Sequence, residues 1–577
     1  MNIFEDIRKI IIDVAISMGI EDKNILNKIT SEPPKDETHG DIATNIALLS
    51  SKILNKNPKK IAADIIILIK KNEYIYEAKI AGPGFINLYL DKAIFYECCR
   101  KVLCYKNKYG KSNYGNLEKV NIEYVSANPT GPMHIGHARG AVYGDSLANL
   151  LEYVGYNITR EYYINDSGQQ IVNLAKSVYL RYLEILNNKK EIFKDDLYPG
   201  EYLIPVAQNI INNYGDKFLN CDEIAWLDTF KKISISSMMD LIKDDLSSIN
   251  IHHDVFTSEE FLKSNGFIEK VVKILNENNM IYEGVLEPPK GLKKEDWKSR
   301  PQLLFKSTAF GDDVDRPLKK SDNSWTYFAA DAAYHYEKFL RNYSSIINIW
   351  GADHGGYIKR IEGIIKSFSS STINFDVKLC QLVNLKSDGK PVKMSKRAGN
   401  FVTMKSVVDS VGADVLRFIM LTRKNDAPLD FDILKVQEQS KDNPVYYVQY
   451  ANIRINSLYK KAINLGIDLN EDIDNIDFEL LDNTFELNLI KIISKWPRQV
   501  EAAAKANEPH RITFYLNDLA SAFHYSWSLG NTNSELRYIV EDNIKLTTAR
   551  LSLAKIVKII LFSGLSIIGV KPAEDLS

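Results

Sequence analysis

The stretch from Val120 to Ile164 narrows the possible folds more than any other. VNIEYVS suits a buried strand, ANPTGP a stiff loop, HIGHARGAVYGDSLANLLEYVG a helix and YNITREYYI a second strand. Strand, helix and strand at this spacing make a βαβ unit, which dictates parallel strands and a binding crevice at their carboxyl ends. The pattern returns downstream: INIWGADHGGYIKRIEGIIKSF supplies a strand, loop and helix, and NFDVKLCQLVNL a third strand. Between the two lies a long, mostly helical stretch of mixed charge, about residues 165–300. The expected fold is multidomain α/β, with a Rossmann-like parallel-sheet domain split by an insertion.

The flanks differ from this centre. Residues 1–112 begin with helical period and end in strand-like EAKIAGPGFINLYL, an α+β module, and the turn-rich YGKSNYGNLEK then reads as a linker. Beyond Asp432 almost everything has helical period. The expected domains are therefore 1–112 (α+β), 113–432 (Rossmann-type, with insertion) and 433–577 (all-α). A chain of 577 residues exceeds what one core supports, so roughly two to four domains are expected on size alone.

Composition bounds the partners. The formal net charge is -1, so a polyanion must be met by a local patch rather than by global attraction. Five cysteines, Cys98, Cys99, Cys104, Cys221 and Cys380, show neither a disulfide framework nor C-x-x-C spacing. That implies a reducing compartment and no structural zinc. The opening MNIFEDIRKI lacks a signal-peptide pattern, and the most apolar stretch, IILFSGLSIIGV, is 12 residues, too short for a bilayer. A cytoplasmic protein without a membrane partner is expected.

His134 and His137 fall at i and i+3 on the first turn of the helix, where unpaired N–H groups and the helix dipole favour phosphate. Both imidazoles can donate to an oxygen that gains charge in phosphoryl chemistry. Gly136 removes a Cβ where a base or backbone must approach closely, Asn128 and Thr130 add polar groups, and Pro129 and Pro132 stiffen the loop. A metal pair is the competing reading, but helical zinc pairs usually sit at i and i+4, and no third ligand lies nearby. A third reading is two histidines that merely cap and pack.

The second cluster is KPVKMSKRAGN, with Lys390, Lys393, Lys396 and Arg397 on a loop expected to follow the third strand of the same sheet. A basic run alone is usually a solvated face. Beside a phosphate seat each ammonium would contribute about 4 kcal/mol at ~4 Å before desolvation, taking an effective dielectric of ~20. Gly389 and Gly399 flank the run as hinges.

HIGH at His134–His137 followed by KMSK at Lys393–Lys396 resembles the two signatures of class I aminoacyl-tRNA synthetases. NIEYVSANPTGPMHIGHARGAVYGD, TYFAADAAYHYEKF, WGADHGGYIKR and NPVYYVQYANIR are similar to the bacterial arginyl-tRNA synthetase family, as are THGDIATNIA and AGPGFINLYL near the start and LIKIISKWP near the end. The likeness spans essentially the whole chain.

The resemblance implies ATP-dependent ligation of L-arginine to tRNA(Arg) through an arginyl-adenylate, for protein synthesis. It places the substrate arginine on Glu123, Asn128, Tyr327 and Asp331. A guanidinium is a planar fork of donors that a carboxylate accepts in pairs, although Glu123 and Asp331 could equally form ordinary salt bridges. It assigns catalysis to His134, His137, Lys393 and Lys396, and ATP contacts to Thr130, Gly136, Asp353, His354, Met394 and Ser395. The family pattern often carries a second histidine after ADH, where this chain has Gly355 and Gly356. Many relatives have a degenerate second signature, whereas both lysines stand here.

ATP enters with Mg2+ as substrate, no zinc is expected, and a monomer is expected. The resemblance also implies that activation needs bound tRNA, that the amino-terminal module touches the tRNA elbow and that the helical domain reads the anticodon. His39 and most of Tyr446, Tyr447 and Tyr450 are expected to pack rather than bind. The rivals are another class I specificity, glutaminyl or cysteinyl, a non-catalytic RNA-binding paralogue, and a small nucleotidyltransferase. NPVYYVQYA, the intact signatures and the length argue against them in turn.

Overall fold

The computed structural model describes residues 2–286, 300–320, 322–368, 373–392, 402–438, 440, 442–468 and 472–574. Its amino-terminal part is an antiparallel sheet of β1 (Ile42–Thr44), β2 (Ile75–Ala81) and β3 (Phe85–Leu90) in the order β1-β3-β2. Helices Ile3–Ser17, Ile46–Leu54 and Pro58–Ile69 pack against it through isoleucines of the main core. Asn2 starts the first helix by accepting from the Phe4 amide, and Asn57 followed by Pro58 starts the third.

The central sheet contains β4 (Lys119–Glu123), β5 (Asn157–Ile164), β6 (Val255–Ser258), β10 (Ser345–Gly351) and β11 (Asn374–Cys380). All four pairings are parallel, in the order β11-β10-β4-β5-β6. Chain order runs outward from β4 in one direction to β6 and then resumes on its other side with β10. The switch point therefore lies between β4 and β10, where Val120 pairs Ser345. A crevice opens at the carboxyl ends of such strands.

Two regions differ from expectation. The stretch 165–300 includes long helices, Gln169–Asn187 and Glu223–Ser247, but it also returns β6 to the edge of the sheet. It continues into an antiparallel ribbon of β7 (Ile281–Gly284), β8 (Gln302–Phe305) and β9 (Arg316–Pro317). The single strand read in NFDVKLCQLVNL is two, because the chain leaves the sheet at Gln381. Asn425 O accepts the Gln381 amide at 2.8 Å and Arg139 Nη1 donates to Gln381 O at 3.0 Å, drawing the backbone away. β12 (Val383–Ser387) then forms its own sheet with β13 (Lys390–Pro391) and β14 (Leu429–Asp432). The basic run thus starts on β13, at Lys390, and does not follow a strand of the central sheet.

The carboxyl-terminal part is a bundle built mainly on helices Pro444–Asn464, Thr484–Ser494, Trp496–Ala506, His510–Thr532 and Ile544–Ile567. Its end is locked to the helix Ile135–Tyr153: Arg417 donates to Ile568 O and pairs with Asp145, and Asn149 Nδ2 donates to Ile567 O. One apolar cluster runs through all three parts, with satellites under helix Tyr327–Leu340 and within the inserted helices.

Candidate active site

The loop leaving β4 is strained and held by hydrogen bonds. Val125 and Ser126 take φ of 72° and 40°, a left-handed turn that a β-branched residue rarely adopts. The turn is held from both sides: Ser126 Oγ donates to Glu123 Oε1 at 3.0 Å and accepts the Tyr163 amide at 3.1 Å. Tyr162 Oη donates to Ala127 O and Tyr202 Oη to Thr130 O, each at 2.7 Å. Asn128 Nδ2 donates to Gln170 Oε1 at 2.8 Å, while Thr130 is buried. At the far end the Met133 amide donates to Asp245 Oδ2 at 2.9 Å, and burial raises the Asp245 carboxyl above its usual range.

His134 is the N-cap of helix Ile135–Tyr153, and its Nδ1 accepts the Gly136 amide at 3.1 Å. His137 Nδ1 accepts the His134 amide at 3.3 Å, a capping box built from imidazoles. In the neutral rings the proton then resides on Nε2 of each, the donor tautomer. The rings stack at 3.8 Å. A Cβ on Gly136 would lie 2.9 Å from His134 Cε1, so the glycine first makes room for this stack.

Lys393, Met394, Ser395 and Lys396 lie outside the described residues. The segment after them is joined to the first signature. His134 forms an antiparallel bridge with Thr403, and the Met404 amide donates to Met133 O at 2.8 Å. On the other side of the switch point Asp353 and His354 follow β10 in a short turn. They are 83% and 63% exposed, with 3.7 Å between His354 Nε2 and Asp353 Oδ2.

Beyond β4 and β6 the crevice gathers acidic side chains. Lys338, fully buried, meets Glu123 Oε2 at 2.7 Å and Asn348 Oδ1 at 3.3 Å, so Glu123 is an ion-pair partner. Asp331 lies one turn along the helix from Tyr327, whose ring is 64% exposed. It accepts from Tyr357 Oη at 2.5 Å and has no cation within salt-bridge range among the described residues. Burial raises the Asp331 carboxyl to about 7, helped by the charges of Glu259 and Glu123 and opposed by the Tyr357 bond. Burial and the Lys338 charge likewise pull His335 down to about 3, and its Nδ1 sits 2.8 Å from Asp331 O.

The sequence reading missed Glu259, Lys263, Ser167 and Tyr357. Glu259 is 3% exposed at the carboxyl end of β6, with Oε1 2.5 Å from Lys263 Nζ and 2.6 Å from Ser167 Oγ. Ser167 and Gly168 end the β5 loop, and a Cβ on Gly168 would lie 3.6 Å from Tyr327 Oη. Their signal lay in position: each follows a parallel strand at its carboxyl end.

Family models match along the chain: the arginyl tRNA synthetase N terminal domain over residues 2–90, the class I (R) tRNA synthetase catalytic domain over 99–465 and the DALR anticodon binding domain over 448–576. Arginine-tRNA ligase from Ruegeria pomeroyi is 48% identical over the full length of both chains, and that from Parvibaculum lavamentivorans 50% identical over 96% of this chain and 95% of its own. Among solved structures, Thermus thermophilus arginyl-tRNA synthetase superposes with a TM-score of 0.72 at 17% identity, covering 99% of this chain and all of its own. That likeness speaks for the fold, and the sequence matches speak for the family. The chain belongs to the class I arginyl-tRNA synthetases.

Proposed function

We propose that the protein charges tRNA(Arg) with L-arginine at the crevice between β4 and β10. The arginine carboxylate attacks the α-phosphorus of ATP, which arrives with Mg2+ as substrate, and pyrophosphate leaves. A hydroxyl of the terminal adenosine, the 2'-hydroxyl by class resemblance, then attacks the arginyl carbonyl and releases AMP. His134 and His137 donate from Nε2 to the reacting phosphate, Lys393 and Lys396 hold the leaving group, and no covalent nucleophile is needed. Thr130, Gly136, Asp353, His354, Met394 and Ser395 line the nucleotide side.

One observation carries the arginine reading: Asp331 is a half-buried carboxylate beside Glu259 and Glu123, yet its bonded partner is a phenol, Tyr357. A guanidinium supplies the missing charge and two parallel donors. Tyr327 and Asn128 flank it. Glu123, engaged by Lys338, acts by shaping the loop and adding negative potential. Lysine or citrulline would leave charge or donors unpaired, so discrimination needs no editing site.

Residues 1–112 would meet the tRNA elbow and 433–577 the anticodon, around a catalytic domain at 113–432, in a cytoplasmic monomer. The supporting test is pyrophosphate exchange with arginine, with and without tRNA(Arg), using lysine and glutamine as controls. Exchange with arginine alone, and only with tRNA present, is the expected result. Exchange with lysine or glutamine, or none with arginine, would overturn the specificity.

A further inference from the structure

At the switch point the last residues paired between β4 and β10 are Glu123 and Asn348. Both are buried, and a chain of hydrogen bonds with a fixed direction runs through them. It begins on helix Tyr327–Leu340, where His335 Nδ1 lies 2.8 Å from Asp331 O. A carbonyl oxygen only accepts, so Nδ1 carries the ring proton. Nε2 of the neutral ring is then an acceptor, and Asn348 Nδ2 donates to it at 3.0 Å. That turns Asn348 Oδ1 towards Lys338 Nζ, which donates to it at 3.3 Å and to Glu123 Oε2 at 2.7 Å. Ser126 Oγ donates to Glu123 Oε1 at 3.0 Å and accepts the Tyr163 amide at 3.1 Å. The Lys338 ammonium also lies 4.3 Å from the centre of the Tyr334 ring, a third neighbour that shares its charge.

We propose that Lys338 is a positioning residue for adenylate formation: it sets the Glu123 carboxylate, and through it the strained turn from which the histidine loop leaves β4. The inference rests on the reaction assigned to this crevice above. An ion pair buried this deeply adds little net stability over apolar side chains of the same volume. What it supplies is orientation. Ser126 bonds Glu123 across the left-handed Val125–Ser126 turn, so the angle of the carboxylate decides whether that turn stays closed. Without Lys338 the buried carboxylate loses its partner on Oε2 and is driven to rotate or take up a proton, and the Ser126 bond changes with it. The bonds of Tyr162 to Ala127 O and of Tyr202 to Thr130 O remain, so the change falls on the loop's geometry rather than on its folding. The chain also ties the loop to the helix that bears Tyr327 and Asp331, giving both sides of the crevice one rigid floor.

The test is tRNA-dependent pyrophosphate exchange with arginine on the full-length enzyme, comparing wild type, Lys338→Met, Ser126→Ala and the double variant, with kcat referred to the folded fraction from melting curves. Lys338→Met and Ser126→Ala are each expected to lower kcat about ten- to hundredfold, with the KM values for arginine and ATP within about threefold. The double variant is expected to lose no more than the worse single one, because both changes break the same chain. Losses that multiply in the double variant, or an effect of Lys338→Met confined to the arginine KM, overturn the proposal. So does a lowered melting temperature for Lys338→Met at wild-type kcat, the result of a merely structural ion pair. Ser126 is half-buried, and Ser126→Ala keeps the test decisive where Lys338→Met fails to fold. Its kcat within about twofold of wild type sinks the positioning role alone. Wild-type enzyme that exchanges no arginine sinks the assigned reaction instead, so the two failures are told apart.

Discussion

The two sides of the crevice are built on opposite principles. On the proposed nucleotide side the two histidines are settled within the protein, each accepting a backbone amide through Nδ1, while Asp353 and His354 stand open to solvent. On the proposed amino-acid side three carboxylates meet two lysines, and burial with the charges of Glu259 and Glu123 raises Asp331 to about 7. A nucleotide presents phosphates that helix ends and amides can receive, so that side needs fixed geometry. A guanidinium brings charge, so that side keeps an imbalance for the substrate to cancel. Geometry should thus govern rate on one side, and charge should govern affinity and pH response on the other.

That contrast can be broken most directly at Asp331. Asp331→Asn should lower kcat/KM for arginine about 10²- to 10³-fold, as expected when one member of a desolvated charge pair is removed, while the ATP KM stays within about threefold. The same change should raise thermal stability at pH 8 by about 1–4 kcal/mol, because a carboxylate held near 7 is strained when ionised. Loss of ATP affinity instead would erase the division between the sides. His137→Ala should cut kcat by about 10²- to 10³-fold with arginine KM nearly unchanged, measured by exchange kinetics. An effect confined to arginine KM would place the histidine on the wrong side.

The pH response sharpens the contrast further. With its pKa raised, Asp331 is protonated below about pH 7 in the free protein, and guanidinium binding requires the anion. Arginine KM should therefore rise about fivefold between pH 7 and pH 6 and level off above pH 8, and Asp331→Asn should flatten that limb. Folding takes up a proton at this site between the unfolded value near 3.8 and about 7. Its contribution to stability is thus lost as pH climbs through that window, and not below it. The smallest effect is geometric. Gly136→Ala places a methyl 2.9 Å from His134 Cε1, and displacing one ring of the stack should lower kcat about tenfold without moving the pH profile.

Legibility in the sequence followed the range of the interactions. The β4 unit and the first signature were readable because strand, prolines, histidines and helix are contiguous from Val120 to Tyr153. Glu259 and Lys263 were not, since SEEFLK reads as a charged helix start, and only the return of β6 to the sheet edge turns Glu259 inward. The change of sheet at Gln381 left no mark, because apolar alternation continues across it and the decisive bonds come from Arg139 and Asn425. The tyrosines of the helical domain fell between these cases. Tyr446 and Tyr450 stack at 5.4 Å as packing predicts, but Arg454 also lies over Tyr450 at 4.5 Å, a contact no single-residue reading anticipates.

The bridge between His134 and Thr403 has a consequence on the ribosome. At about 5–20 residues per second the first signature emerges on the order of tens of seconds before its hydrogen-bonding partner is synthesised. During that interval the histidine loop has no strand to lean on, and the strained Val125–Ser126 turn must be held by Glu123 and by the already translated β5 alone. A nascent chain stalled before Thr403 thus carries both stacked histidines and none of the bridge that pins them from downstream.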